Sequence, residues 1–189
     1  EKNKAYEGNS VGSVASRLGK SAFDTLLDVA LSEELRTMLA PPAMGYDEES
    51  WRLRSAALTD ERVIIGASDA GAHLDMIDSF AFSTQLLGEG VRDRKLLSLE
   101  DAIHRLTAVP ARAFGLRNRG LLQEGNWADM VIFDPACVGC GPIYSRADLP
   151  GGASRLYCDA VGIDHVIVNG TVIISGNSFG DRFPGAETY

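Results

Sequence analysis

The run Arg62-Val63-Ile64-Ile65-Gly66-Ala67-Ser68-Asp69 constrains this chain more than any other stretch. Three consecutive β-branched residues bounded by small and charged ones read as a strand buried on both faces, the kind that sits in the middle of a parallel sheet. Parallel strands need crossover connections, usually helical, and helical patterns flank the run on both sides. Upstream, Ser10 and Ser13 offer caps for a helix over Val14, Ala15 and Leu18 that stops at Gly19. Ser21-Ala22-Phe23-Asp24 is a capping-box pattern opening a second helix expected to bury Phe23, Leu26, Leu27, Ala30 and Leu31. Pro41-Pro42 breaks the pattern, and a further helix is expected around Glu48 to Ala57.

Downstream of the run, Ala70-Gly71-Ala72 is a loop of small residues that lets backbone approach whatever lies at the end of the strand. A helical segment follows over Ser79 to Leu87. Ser98-Leu99-Glu100-Asp101 opens a helix with Leu99, Ala102, Ile103 and Leu106 on one face, and Pro110 is placed at the start of a short helix ended by Gly115. From Gly120 the pattern turns to strands. Ala128–Asp134 and His165–Ile174 are β-forming, and Asn169-Gly170 is a two-residue hairpin signal.

Composition removes several classes of function. A net charge of −8 with 18 scattered basic residues opposes binding to a phosphate backbone, so no nucleic-acid partner is expected. The apolar runs fall far short of the ~20 residues of a membrane helix, so no membrane partner is expected. Three cysteines make no secreted disulfide framework, and Glu1-Lys2-Asn3-Lys4 has no apolar signal core; the expected location is the cytoplasm.

Spacing alone leaves Asp69 between two roles, a turn residue ahead of a glycine loop and a functional carboxylate at a strand end. The wider pattern adds to this. Gly66-Ala67-Ser68-Asp69-Ala70-Gly71-Ala72-His73 resembles the eighth-strand segment of the amidohydrolase superfamily. Leu106-Thr107-Ala108-Val109-Pro110-Ala111 through Leu116 is similar to the helix after that barrel. Gly120 through Asp134 resembles the strands re-entering a β-sandwich, and Val166 through Val172 its last hairpin. Asp148-Leu149-Pro150-Gly151-Gly152 and Phe183-Pro184-Gly185 are similar to the D-aminoacylase and N-acyl-D-amino-acid deacylase branch.

The resemblance implies an α/β plus β fold: the C-terminal part of a (β/α)8 metallo-dependent hydrolase barrel over residues 1–118, then a β-sandwich segment over 119–189. A whole barrel takes about 250 residues, so the chain is expected to be a fragment. Its partner would be the missing N-terminal part of the same enzyme or another chain. The resemblance further implies hydrolysis of the amide of a small N-acyl, and D-configured, amino acid, with one or two zinc ions whose ligands lie mostly outside this chain. Asp69 is then both catalytic carboxylate and metal ligand. His73, four residues later in the same loop, is the candidate substrate-binding residue.

Other groups carry weaker signals. His104 and His165 are expected to be structural or solvated. Cys137-Val138-Gly139-Cys140 lacks the second pair a zinc site needs, and it receives no function. Asp75, Met76 and Asp78 follow the Asp69 loop as ordinary solvated positions, and Arg155 is expected in a structural ion pair. Two alternatives stay open: a cyclic-amide hydrolase of the hydantoinase or dihydroorotase kind, and a non-catalytic remnant or interaction module.

Overall fold

The computed structural model describes residues 2–41, 44–66, 68–176, 178–182 and 184. Pro42, Ala67, Phe183 and Gly185, on which parts of the sequence reading fall, lie outside them. The chain divides into two compact units, Glu1–Met44 and Gly45–Tyr189.

The first unit is a helix pair, α1 (Val11–Leu18) and α2 (Ala22–Ser32). Ser10 caps α1 by accepting the Ser13 amide, and Gly19 ends it at φ 64°, a left-handed conformation that suits glycine. The Ser21 hydroxyl likewise accepts the Asp24 amide at 3.1 Å. The face turned inward differs from the expected one. Val14, Ala15, Thr25 and Val29 are buried, whereas Phe23, Leu27 and Leu31 are 68%, 42% and 65% exposed. Two residues turn a helix through about 200°, so the Thr25–Val29 stripe lies opposite the Phe23–Leu27 stripe. Polar cross-links select the inner face: Asn3 donates to the Val29 carbonyl at 2.8 Å and to Thr37 Oγ1 at 2.7 Å, and accepts from Ser32 Oγ at 3.0 Å.

The second unit begins with α3 (Glu48–Thr59), capped by Asp47 through the Ser50 amide. A 3-10 turn (Ser79–Ala81) leads into α4 (Phe82–Gln85), which continues as a π-helix over Leu86–Asp93. Next come α5 (Leu99–Leu106), capped by Ser98 as its sequence implies, and α6 (Ala108–Ala113). Pro110 sits inside the first turn of α6 instead of opening it; a missing N–H costs nothing there because first-turn donors have no intrahelical partner. No helix among the described residues is long and apolar enough to cross a membrane.

Among the described residues eight short strands follow: β1 (Met130–Phe133), β2 (Gly139–Cys140), β3 (Tyr144–Arg146), β4 (Arg155–Tyr157), β5 (Ala160–Val161), β6 (Ile163–Val168), β7 (Thr171–Ser175) and β8 (Ser178–Phe179). They form one four-stranded sheet in the order β1-β6-β7-β8 and two small pairs, β2-β5 and β3-β4. Every pairing is antiparallel. Asn169 (φ 49°) and Gly170 (φ 76°) join β6 to β7, both in the positive-φ region that a tight hairpin of primed type requires.

The central parallel strand expected over Arg62–Asp69 does not form among the described residues of that run, which join no ladder, and Val63 and Ile64 are 37% and 44% exposed. β-branched residues favour extended backbone, but a strand exists only against a neighbour, and no described segment lies alongside.

The core of this unit gathers Leu87, Leu97, Ala102 and Val138, with Ile103, Phe133 and Ile163 packed around them. Here the π-helix meets the β region at very short range. A Cβ on Gly88 would lie 2.7 Å from the Val138 carbonyl oxygen and 3.2 Å from Gly139 Cα, and Arg92 Nη1 donates to that same carbonyl at 2.5 Å. Both close atoms are backbone and have nowhere to go. Gly88→Ala should therefore destabilise the protein by about 1–3 kcal/mol despite alanine's better helix propensity; an unchanged urea midpoint would show that the two elements can separate.

A second polar cluster ties the sheet to the chain before it. Arg119 pairs with Asp129 and donates to Asn169 Oδ1 at 2.9 Å, while Asp129 Oδ1 accepts the Asn169 amide at 2.9 Å. Burial acts to raise the Asp129 pKa, but the Asn169 amide and the Arg119 guanidinium outweigh it and hold the carboxyl below its ordinary value. A depressed folded-state pKa gives stability that is present above the unfolded value and is lost as pH falls through the folded one. Asp129→Asn should thus cost about 1–2 kcal/mol at pH 7, and the gap to the parent should close as pH drops below roughly 4. Thermal unfolding of both proteins across pH checks the sign.

Candidate functional site

The segment carrying Asp69 is suspended between two fixed points. At its start, Arg105 of α5 donates to the carbonyls of Thr59 (2.6 Å) and Asp60 (3.1 Å), and Asp60 receives Arg62 through Nε, Nη2 and the backbone amide. At its far end, the Ser79 hydroxyl donates to the Ser68 carbonyl. Between them the chain makes a tight turn, with the Ala72 amide on the Asp69 carbonyl at 3.3 Å, and a second one in which the Met76 and Ile77 amides share the His73 carbonyl at 2.8 and 2.9 Å.

Both turns bend through left-handed backbone. Asp69 has φ 58°, Gly71 φ 107° and His73 φ 47°. Glycine takes such angles freely, whereas a residue with a Cβ pays about 1–2 kcal/mol, and strained positions of this kind concentrate at functional sites. Asp69 and His73 are both exposed. Among the described residues neither the carboxylate nor the imidazole has a hydrogen-bond or ion-pair partner, so the loop sets the two candidates in successive turns without joining them.

Two cavities lie elsewhere. One, of about 1010 Å³, belongs to the first unit and includes Val14, Val29, Thr37 and the fully buried Thr25, whose hydroxyl has no partner among the described residues. The other, of about 320 Å³, runs between Trp51, Leu58 and Leu86. Neither includes Asp69, which is exposed to solvent.

Arg155 grips Asp148 through two parallel bonds of 2.8 Å, a structural ion pair as expected. The Asp148 carboxyl is held below its usual range, first by that guanidinium. Cys137, Cys140 and Cys158 are free thiols. Cys137 donates to Asp134, and that bond pushes its pKa up, away from the reactive thiolate. His104 is exposed and His165 half-buried on β6.

One feature of the site was not read from sequence. The Leu156 amide of β4 donates to the Leu74 carbonyl at 2.7 Å, docking the Asp69 loop onto a strand more than eighty positions away. No local pattern signals a backbone bond of that range.

Metal ligation by this chain alone is not supported by the donor set. Among the described residues no group of three His, Cys, Asp or Glu side chains could hold a metal ion, and a structural or catalytic zinc needs at least three protein ligands. Purified residues 1–189 should hold well under one equivalent of zinc after dialysis; stoichiometric metal by elemental analysis would reveal a site that the described residues do not show.

A family model described as "Amidohydrolase family" matches residues 5–174, and the chain belongs to that family. Within it the chain falls in the D-aminoacylase branch. It is 43% identical over 108 residues to the N-acyl-D-glutamate deacylase of Alcaligenes xylosoxydans xylosoxydans, a match covering 56% of this chain and 19% of the relative. A D-aminoacylase structure, from work on its binuclear metal centre, matches with a TM-score of 0.55 at 29% identity over 91% of this chain and 32% of that one. The N-acyl-D-glutamate deacylase of Bordetella bronchiseptica, solved with zinc and a phosphonate mimic of the tetrahedral intermediate, matches with a TM-score of 0.51 at 29% identity over 94% of this chain and 34% of its own. The chain therefore spans from about a fifth to a third of the length of these relatives.

Proposed function

We propose that this chain is the C-terminal portion of a metal-dependent hydrolase of N-acyl-D-amino acids, in which Asp69 is the proton-transferring carboxylate. The observation that carries the reading is an unpaired, exposed carboxylate held in left-handed backbone, within a segment that the family model matches. A structural aspartate would be satisfied by a cap or an ion pair, as Asp47 and Asp148 are. Asp69 is not.

In this reading residues 1–118 complete the barrel and 119–189 the β-sandwich, with the remaining walls and ligands supplied by polypeptide outside the chain. Support comes from the fraction of each relative that the chain spans and from its uncovered apolar side chains, Phe23, Leu31, Leu122 and Phe179 among them. Such surfaces are what a part of a larger packed body exposes. Three free thiols agree with a reducing compartment such as the cytoplasm.

The relatives solved with metal suggest zinc here, with Asp69 as one oxygen ligand of a set completed elsewhere. Bound zinc would lower the pKa of its water to about 7 and polarise the amide carbonyl. Asp69 takes the proton of the attacking water and passes it to the departing amine, acting as base and then as acid. His73, one turn further along the same loop, faces the substrate. Linear N-acyl substrates are favoured over cyclic amides because the matched deacylases act on N-acyl-D-glutamate by name.

In the longer protein, Asp69→Asn should lower kcat on an N-acetyl-D-amino acid by about 10²- to 10⁴-fold with an unchanged circular-dichroism spectrum. Near-normal turnover would refute the assignment, and faster hydrolysis of hydantoins than of N-acetyl-D-amino acids by the parent enzyme would move the substrate to the cyclic class.

A further inference from the structure

The Asp69 loop is thinly held for a segment that is to place a proton acceptor. Residues 69–76 are exposed. Its own bonds are short-range, Ala70 to Ser68 Oγ, Ala72 to Asp69, Met76 and Ile77 to His73, with Ser79 closing onto Ser68. Among the described residues one hydrogen bond reaches residues 68–78 from outside 68–79, the 2.7 Å bond from the Leu156 amide to the Leu74 carbonyl. Leu74 follows His73 directly and lies five residues from Asp69, so its position limits how far the preceding turn can drift.

The donor comes from a hairpin built to stay still. β3 and β4 pair with Tyr144 opposite Tyr157, Ser145 opposite Leu156 and Arg146 opposite Arg155. In an antiparallel ladder the amides of successive residues point alternately to the partner and away. Leu156 uses its N–H on Leu74, so it points away from β3, and the ladder bonds belong to the residues on either side. Beyond the strands the connection is clasped by charge. Asp148 accepts both Arg155 bonds at 2.8 Å, and Arg146 Nε forms an ion pair with the same carboxylate at 3.1 Å. The turn closes through the Leu149 amide on Ala153 at 3.2 Å and the Gly152 amide on Leu149 at 3.1 Å. The two guanidiniums stand 5.0 and 5.3 Å from the Tyr157 ring centroid. A bidentate arginine–carboxylate pair fixes direction as well as distance, which an edge strand with a single outward donor needs.

We propose that the β3–β4 hairpin is a positioning element for the active site, in which the Asp148–Arg155 clasp orients β4 so that the Leu156 amide holds Leu74 and thereby the Asp69-to-His73 turn. The proposal rests on the reading of Asp69 as the proton-transferring group. Leu156, Asp148 and Arg155 touch no substrate; they act through the loop, and their loss is felt as misplacement of Asp69.

The test uses the longer, zinc-loaded enzyme and two readouts, steady-state kinetics on an N-acetyl-D-amino acid and amide hydrogen exchange over 68–78. Leu156→Pro deletes the donor without removing a ladder bond, and Leu156→Ala keeps the donor while removing the side chain. The expected result is a roughly ten- to hundredfold loss of kcat in Leu156→Pro, KM within about twofold, faster exchange over 68–78, and near-parent behaviour in Leu156→Ala. Asp148→Asn leaves every backbone donor in place and should move both readouts the same way by a smaller factor, so the proposal remains testable if the proline variant does not fold. Unchanged kcat and unchanged exchange in Asp148→Asn and any folded Leu156→Pro overturn it, as does an equal loss in Leu156→Ala. If Asp69→Asn retains turnover, the reading of Asp69 has failed by itself. Exchange over 68–78 then decides the hairpin's hold on the loop, with faster exchange supporting it and unchanged exchange ending it.

Discussion

Close contact between the π-helix and the backbone at Val138 and Gly139 is the constraint on which the larger unit depends. With no Cβ at Gly88, the helix comes within backbone range of β2, and Leu87, Leu97, Ala102 and Val138 close into one core. That core locates more than itself. Ser55 of α3 donates to the Leu96 carbonyl at 2.9 Å, and Arg105 of α5 reaches the end of α3, so α3 is tied to the same framework. Asp60 and Ser79 are therefore held at the two ends of the span that carries Asp69, whose described residues 69–76 are exposed.

Such a division is common in enzymes, where a rigid scaffold presents exposed loops. Asp69 and His73 spend backbone strain on conformations that place unpaired polar groups outward. Aspartates built into the framework behave otherwise: Asp60 is bound by Arg62, Asp129 by Arg119 and the Asn169 amide, and Asp148 by two arginines, whereas Asp75 and Asp78 in the same segment as Asp69 are, like it, exposed without a hydrogen-bond or ion-pair partner among the described residues. In a chain this rich in acidic residues, the contrast between satisfied and unsatisfied carboxylates says more than their number.

The proposed place of this chain within a longer amidohydrolase would account for what is otherwise an odd surface. Both sides of α2 are apolar, one facing α1 and one facing solvent, and the Val63–Ile64 run lies open although its composition suits the interior of a sheet. A hydrophobic stripe opposite a buried one is the pattern of a helix covered on two sides.

Most caps and turns were legible because their physics is local. Ser10, Ser21 and Ser98 cap their helices, Gly19 and Gly115 end theirs, and Asn169-Gly170 turns its hairpin, because a cap or a turn is decided within four residues. The candidate loop was legible too, since its small residues and its carboxylate are contiguous. What the residues alone could not decide were matters of partnership. Arg62–Gly66 has the composition of a strand but lacks a neighbour, and Phe23, Leu27 and Leu31 have the spacing of a core face but lost it to the stripe that Asn3 draws inward. The bond from Leu156 to Leu74 belongs to the same class. Hydrogen bonds between distant backbones leave no trace in side-chain order, because every residue but proline carries the same donor and acceptor, and only the tertiary structure chooses which of them meet.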